Sequence, residues 1–150
     1  SPESFEGVGE GSRAFALDPA RIHVNLRGRY PRGCVDPGDR ERVARDVADA
    51  LRDLSVDGRR VIRRICRKEE IYEGPEFDRA PDLVLLSEPG LDLKGRLAAP
   101  ALTSKGVFTG MHTHDDAFLF VSSPSIPPSG IPAEPRVGDV RGLVERGLAG

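Results

Sequence analysis

The sequence predicts an α/β protein, or α+β, with a partly parallel sheet flanked by helices. Three observations predict it. An amphipathic helical stretch spans about 39–54, a nearly continuous apolar run occupies 81–86, and strand-like segments alternate with helical ones. At 150 residues the chain is one domain's worth, with 38% hydrophobic and 31% charged residues, as expected for a folded globular chain. Residues 1–14 are rich in Gly, Ser and Glu and are expected as a loose lead-in.

The elements follow in order. Ile22-His23-Val24-Asn25-Leu26 alternates apolar and polar residues and predicts a strand. Arg27–Gly33 is a basic turn whose arginines either face an anion or are solvated. Asp36-Pro37 predicts a helix start, with Asp36 as cap and Pro37 in the first turn. Val43, Val47, Ala50, Leu51 and Leu54 then recur at helical spacing. Asp57-Gly58 is a hairpin-type turn leading to the β-branched strand 61–66. Arg67–Tyr72 predicts a short helical turn. The length of the 81–86 run suits a strand buried on both faces, as in a parallel sheet. Residues 87–109 are irregular, Ala117–Val121 predicts a buried strand, and Ser122–Pro135 is a proline- and serine-rich loop. Val137, Val140, Leu143, Val144 and Leu148 predict a terminal helix at about 139–147.

Composition narrows the function. A net charge of −2 argues against a general nucleic-acid-binding surface. No apolar run approaches a membrane span, and without a secretory signal a cytoplasmic location is expected. Cys34 and Cys66 lack zinc-ligand spacing and are expected as reduced thiols. Glycine-rich dinucleotide fingerprints, P-loops and nucleophile elbows are absent.

Chemical capacity concentrates in Gly110-Met111-His112-Thr113-His114-Asp115-Asp116, directly before the apolar run 117–121. If this stretch is extended, His112, His114 and Asp116 share one side and Asp115 takes the other. Two imidazoles and a carboxylate can ligate zinc or a similar divalent ion. Three ligands from such close neighbours strain the geometry, so a metal site takes one or two here and the rest elsewhere. A polar loop with ordinary hydrogen bonds is the alternative. His23, in a predicted strand, is expected to be structural.

Five segments in order resemble the C-terminal part of the alkaline phosphatase superfamily. The similarity is greatest to phosphohydrolases and phosphomutases near the type I phosphodiesterase/nucleotide pyrophosphatase family. The segments are Ile22–Arg29 (preceded by Ser12–Phe15), Gly33–Gly38, Val61–Ile65 with Glu69–Pro75, Ala80–Val84, and Gly110–Phe118. The tail Val137-Gly138-Asp139-Val140 is similar to the family's closing segment but lacks its Pro and Thr. The resemblance implies an alkaline-phosphatase-like fold and a two-metal phosphoryl-transfer site, with zinc first and manganese or magnesium as alternatives. His112 matches the family's last metal-binding histidine, and His114 falls at a variable position as a supporting ligand candidate. Asp115 matches its acidic position, supporting the ligands from behind, and Asp116 replaces a glycine. Arg27 and Arg29 would face a phosphate-ester substrate. The family's nucleophile and remaining metal ligands precede the region this chain covers. The chain is therefore expected either as the C-terminal portion of a longer hydrolase, with the N-terminal part as its partner, or as a non-catalytic binding or assembly domain. Alone it is expected to be inactive. A self-contained HxH metal hydrolase is a third alternative.

Overall fold

A computed structural model describes residues 5–17, 20–95, 101, 103–104 and 117–148. The described chain is mixed α/β. The chain forms two compact units, Ser1–His112 and Thr113–Gly150.

In the first unit, strands β1 (Ala14–Leu17) and β2 (Arg21–Val24) precede helix α1 (Arg40–Arg52). The short strands β3 (Ser55–Val56) and β4 (Arg59–Arg60) follow, then β5 (Ile62–Arg67), the one-turn helix α2 (Lys68–Ile71) and β6 (Leu83–Ser87). The main sheet has the order β1-β2-β6-β5. Where the sequence leads one to expect a partly parallel sheet, every ladder among the described strands is antiparallel. Among the described residues the one parallel contact is an isolated bridge between Leu26 and Val35. Leu83, Val84 and Leu85 are buried because β6 is central, between β2 and β5. A central antiparallel strand satisfies a continuous apolar run as well as a parallel one does.

Helix α1 covers the sheet with Val43 and Ala44, backed by Val47, Ala48 and Leu51. These positions form one helical stripe. Ala50 and Leu54, expected on that face, are exposed. Asp36 makes no side-chain cap; Pro37–Asp39 form a 3-10 turn, and α1 starts at Arg40. The Asp57-Gly58 turn closes the β3–β4 hairpin, with φ of 51° and 73° at its two central residues. Positive φ at both positions is the geometry a right-twisted two-residue hairpin requires.

The lead-in is docked from Phe5 onward. Phe5 packs edge-on against Phe15 at 5.5 Å, Val8 is buried, and Arg32 Nη1 donates to the Val8 carbonyl at 3.0 Å.

The second unit holds a 3-10 turn (Pro128–Gly130) and helix α3 (Val137–Leu148). Asp139 Oδ2 accepts the Arg136 N–H at 2.7 Å and satisfies a donor at the helix start. Of the apolar positions whose spacing predicts this helix, Leu143 is buried and Val137, Val140, Val144 and Leu148 are exposed. The expected strand 117–121 is not formed, and Phe118 and Phe120 are 91% and 80% exposed. A strand needs a ladder partner, and the described residues of this unit contain no other strand. Among the described residues no helix is long and apolar enough to cross a membrane.

Candidate functional site

The residues singled out for metal chemistry, His112, His114 and Asp115 with Asp116 beside them, lie outside the described residues. What the structure does describe is a polar cluster built where β2, β6 and the first turns of α1 and α2 meet. Its centre is Asp82, just before β6.

Asp82 is buried, and both carboxylate oxygens are engaged. Oδ2 accepts the Val24 N–H at 2.7 Å and Oδ1 accepts Arg40 Nε at 2.5 Å. Its backbone N–H donates to the Ile22 carbonyl at 2.8 Å, and its carbonyl accepts the Lys68 N–H at 3.2 Å. One residue thus ties together β2, α1 and α2. Arg40 extends the network by donating to Glu69 Oε1 at 3.1 Å. Burial opposes the charge on Arg40, but Asp82 and Glu69 outweigh it and hold the guanidinium above its usual range. Burial pulls Glu69 up, yet its own backbone amide and Arg40 hold it below the usual carboxylate range.

Lys68 is also buried. Its ammonium sits 4.3 Å from the centre of the Phe77 ring and donates to the Phe77 carbonyl at 3.5 Å. Desolvation first, and Arg40 second, lower its pKa.

His23 stacks on Phe15 and lies 3.1 Å, Nδ1 to hydroxyl, from Tyr30. Burial lowers the His23 pKa, opposed by Asp82 and reinforced by Arg29; burial raises that of Tyr30. With neutral His23, the Tyr30 hydroxyl donates to Nδ1, which leaves the proton on Nε2. The structural role expected for His23 fits these contacts.

The two arginines expected to face a substrate are held by different partners. Arg27 lies 3.4 Å from Asp36 and donates to the Cys34 carbonyl at 3.3 Å. Arg29 sits over the Tyr30 ring at 5.1 Å. Their loop is closed by Asn25, which is buried. Its side-chain amide donates to the carbonyls of Ser12 and Arg32 at 2.8 and 2.9 Å, and its own carbonyl accepts the N–H groups of Cys34 and Val35. Gly33 has no room for a side chain, since a Cβ there would lie 2.0 Å from the Leu26 carbonyl oxygen. Cys34 and Cys66 are unpaired.

Asn25, Arg40, Lys68 and Asp82 are the residues that sequence reasoning missed. The available signal was a single carboxylate at the mouth of an apolar run. A buried Asp needs a partner, but nothing local identifies Arg40 as that partner. Chemically the cluster is a scaffold: both Asp82 oxygens are engaged, and burial disfavours charge on the His23 ring, which is hydrogen-bonded to Tyr30. No family model, curated protein or solved structure matches the chain.

Proposed function

We propose that the chain is the C-terminal portion of a metal-dependent phosphohydrolase or phosphodiesterase of the alkaline phosphatase superfamily, and that His112 is the metal ligand it contributes. Support comes from the five segments in family order. The observation that carries it is that residues of four of these segments engage one another. Asn25 binds the backbone of Cys34 and Val35, Asp82 holds Val24, and Arg40 links Asp82 to Glu69. On this reading these segments are the frame that carries a site, rather than the site itself.

A two-metal centre does not fit the described donors. Among the described residues no group of three His, Cys, Asp or Glu could hold an ion. Asp82 and His23 are committed as above, so no reaction step is assigned to them. The remaining ligands and the nucleophile are assigned to residues of the complete protein outside this chain.

The test is hydrolysis of bis(p-nitrophenyl) phosphate and p-nitrophenyl phosphate by the complete protein, with and without chelator. Loss of a partner behind a metal ligand already costs 10–100-fold, so His112→Ala is expected to cost about 100-fold or more. Undiminished activity in that variant refutes the assignment. A second reading, a non-catalytic binding or assembly domain, is favoured by how completely the Asp82 cluster satisfies itself. It predicts no chelator-sensitive hydrolysis even with His112 intact.

A further inference from the structure

Five arginines fall within nine residues of the hairpin and β5: Arg59, Arg60, Arg63, Arg64 and Arg67. In a regular strand Arg63 and Arg64 would point to opposite faces. The ladder is not regular there. Ile62 pairs with Ser87 and Arg64 pairs with Leu86, so β5 advances two residues while β6 advances one. Arg63 is the extra residue of a β-bulge, a device that re-aims side chains. In consequence four consecutive residues, Ile62 to Ile65, line one hollow, joined by Arg60 from β4 and by Arg52 from the end of α1.

The hollow has a volume of about 130 Å³, and among the described residues four arginines and no carboxylate line it. Arg60 Nε is anchored on the Ile62 carbonyl at 2.8 Å, and Arg52 Nη1 on Asp49 at 2.7 Å. Both arginines keep further N–H groups to offer. Edge strands often carry charges and bulges to block pairing with other chains, and β5 lies at the edge among the described strands. That purpose is met by charge anywhere along the edge and does not require four guanidinium groups around one concavity.

We propose that this hollow binds a phosphate-type oxyanion, either inorganic phosphate or the phosphoryl group of a small phosphomonoester. The planar fork of a guanidinium matches two oxygens of such an anion. The volume lies below the roughly 300–1,000 Å³ of pockets for larger ligands, which suits a single oxyanion group. The proposal stands on the arginine geometry and does not depend on the phosphohydrolase assignment.

The test titrates the 150-residue chain with inorganic phosphate and with phenyl phosphate, by calorimetry and amide NMR, with chloride holding ionic strength constant. One saturable site is expected, with shifts at residues 60–65. Arg64→Gln should weaken binding about tenfold or more, and Arg64→Lys should recover part of it. Arg141→Gln, which removes the same charge from α3, should leave affinity unchanged. Melting curves check that each variant folds; if Arg64→Gln does not, Arg52→Gln must show the weakening. Binding of either anion supports the site, and their ratio tells free phosphate from a phosphomonoester. Absence of saturation at millimolar concentrations of both anions overturns the proposal, as does equal weakening by Arg141→Gln. Binding of a short oligonucleotide without phosphate binding also overturns it, in favour of an extended polyanion surface.

Discussion

Asp82 and Arg40 form an ion pair across 42 residues of sequence, with Nε 2.5 Å from Oδ1, the Asp82 side chain 1% exposed and the Arg40 side chain 20%. The pair joins the first turn of α1 to the entrance of the central strand. The second Asp82 oxygen holds the Val24 amide, so removing the carboxylate takes an acceptor from two donors at once.

Asp82→Ala is therefore expected to destabilise the first unit by about 1–3 kcal/mol, the cost of leaving the Val24 amide unsatisfied, since Arg40 keeps Glu69. Urea unfolding followed by circular dichroism measures it. A loss below about 1 kcal/mol would show that water or another group replaces the carboxylate.

Stability is expected to fall as pH drops below 6.5. His23 has its folded pKa lowered from 6.5 by burial, so the unfolded chain takes up a proton that the folded chain resists. That contribution is fully present above pH 6.5 and is lost as pH falls toward the folded value. Glu69, lowered from 4.5, adds a separate loss below pH 4.5. Urea midpoints between pH 5 and 8 for the parent chain and His23→Gln resolve the first. An unchanged slope in the variant would remove His23 as its cause.

Gly33→Ala is expected to cost about 2–3 kcal/mol, as overpacking does, because backbone rather than a flexible side chain blocks the new Cβ. Gly38→Ala meets nothing within 4 Å and serves as the matched control. Equal melting temperatures for the two variants would mean the Arg27–Gly33 loop relaxes freely.

Asn25→Ala removes the amide that holds Ser12 and Arg32. A loss of about 1–2 kcal/mol is expected from the two part-buried hydrogen bonds removed. Amide hydrogen exchange should accelerate at residues 27–35. Exchange accelerated evenly over the whole unit would place the role of Asn25 in global folding instead.

Zinc should not remain bound one-to-one to the 150-residue chain after dialysis if His112 is a single ligand of a larger site. Metal analysis of the dialysed chain measures this. Stoichiometric zinc, lost in His112→Ala and His114→Ala, would favour a self-contained HxH site.

Much of the fold was legible from local pattern. The stripe at Val43, Val47 and Leu51 locates α1, Asp57-Gly58 locates the hairpin, and the runs at 61–66 and 81–86 locate β5 and β6. These depend on periodicity and turn chemistry, which act over a few residues. The apolar run 117–121 shows the limit of the same logic. Its composition suits a strand, but strands are completed by partners, and Phe118 and Phe120 find none among the described residues of their unit. The candidate ligands His112 and His114 were legible as chemistry only.

Pairing over distance belongs to tertiary structure alone. Antiparallel order around β6, the Arg40–Asp82 pair and the bulge at Arg63 each depend on where the chain returns after tens of residues. Side-chain alternation within 62–65 would place Arg63 opposite Arg64. The one-residue slip against β6 turns both toward one hollow, and no local propensity encodes a slip that only the partner strand defines.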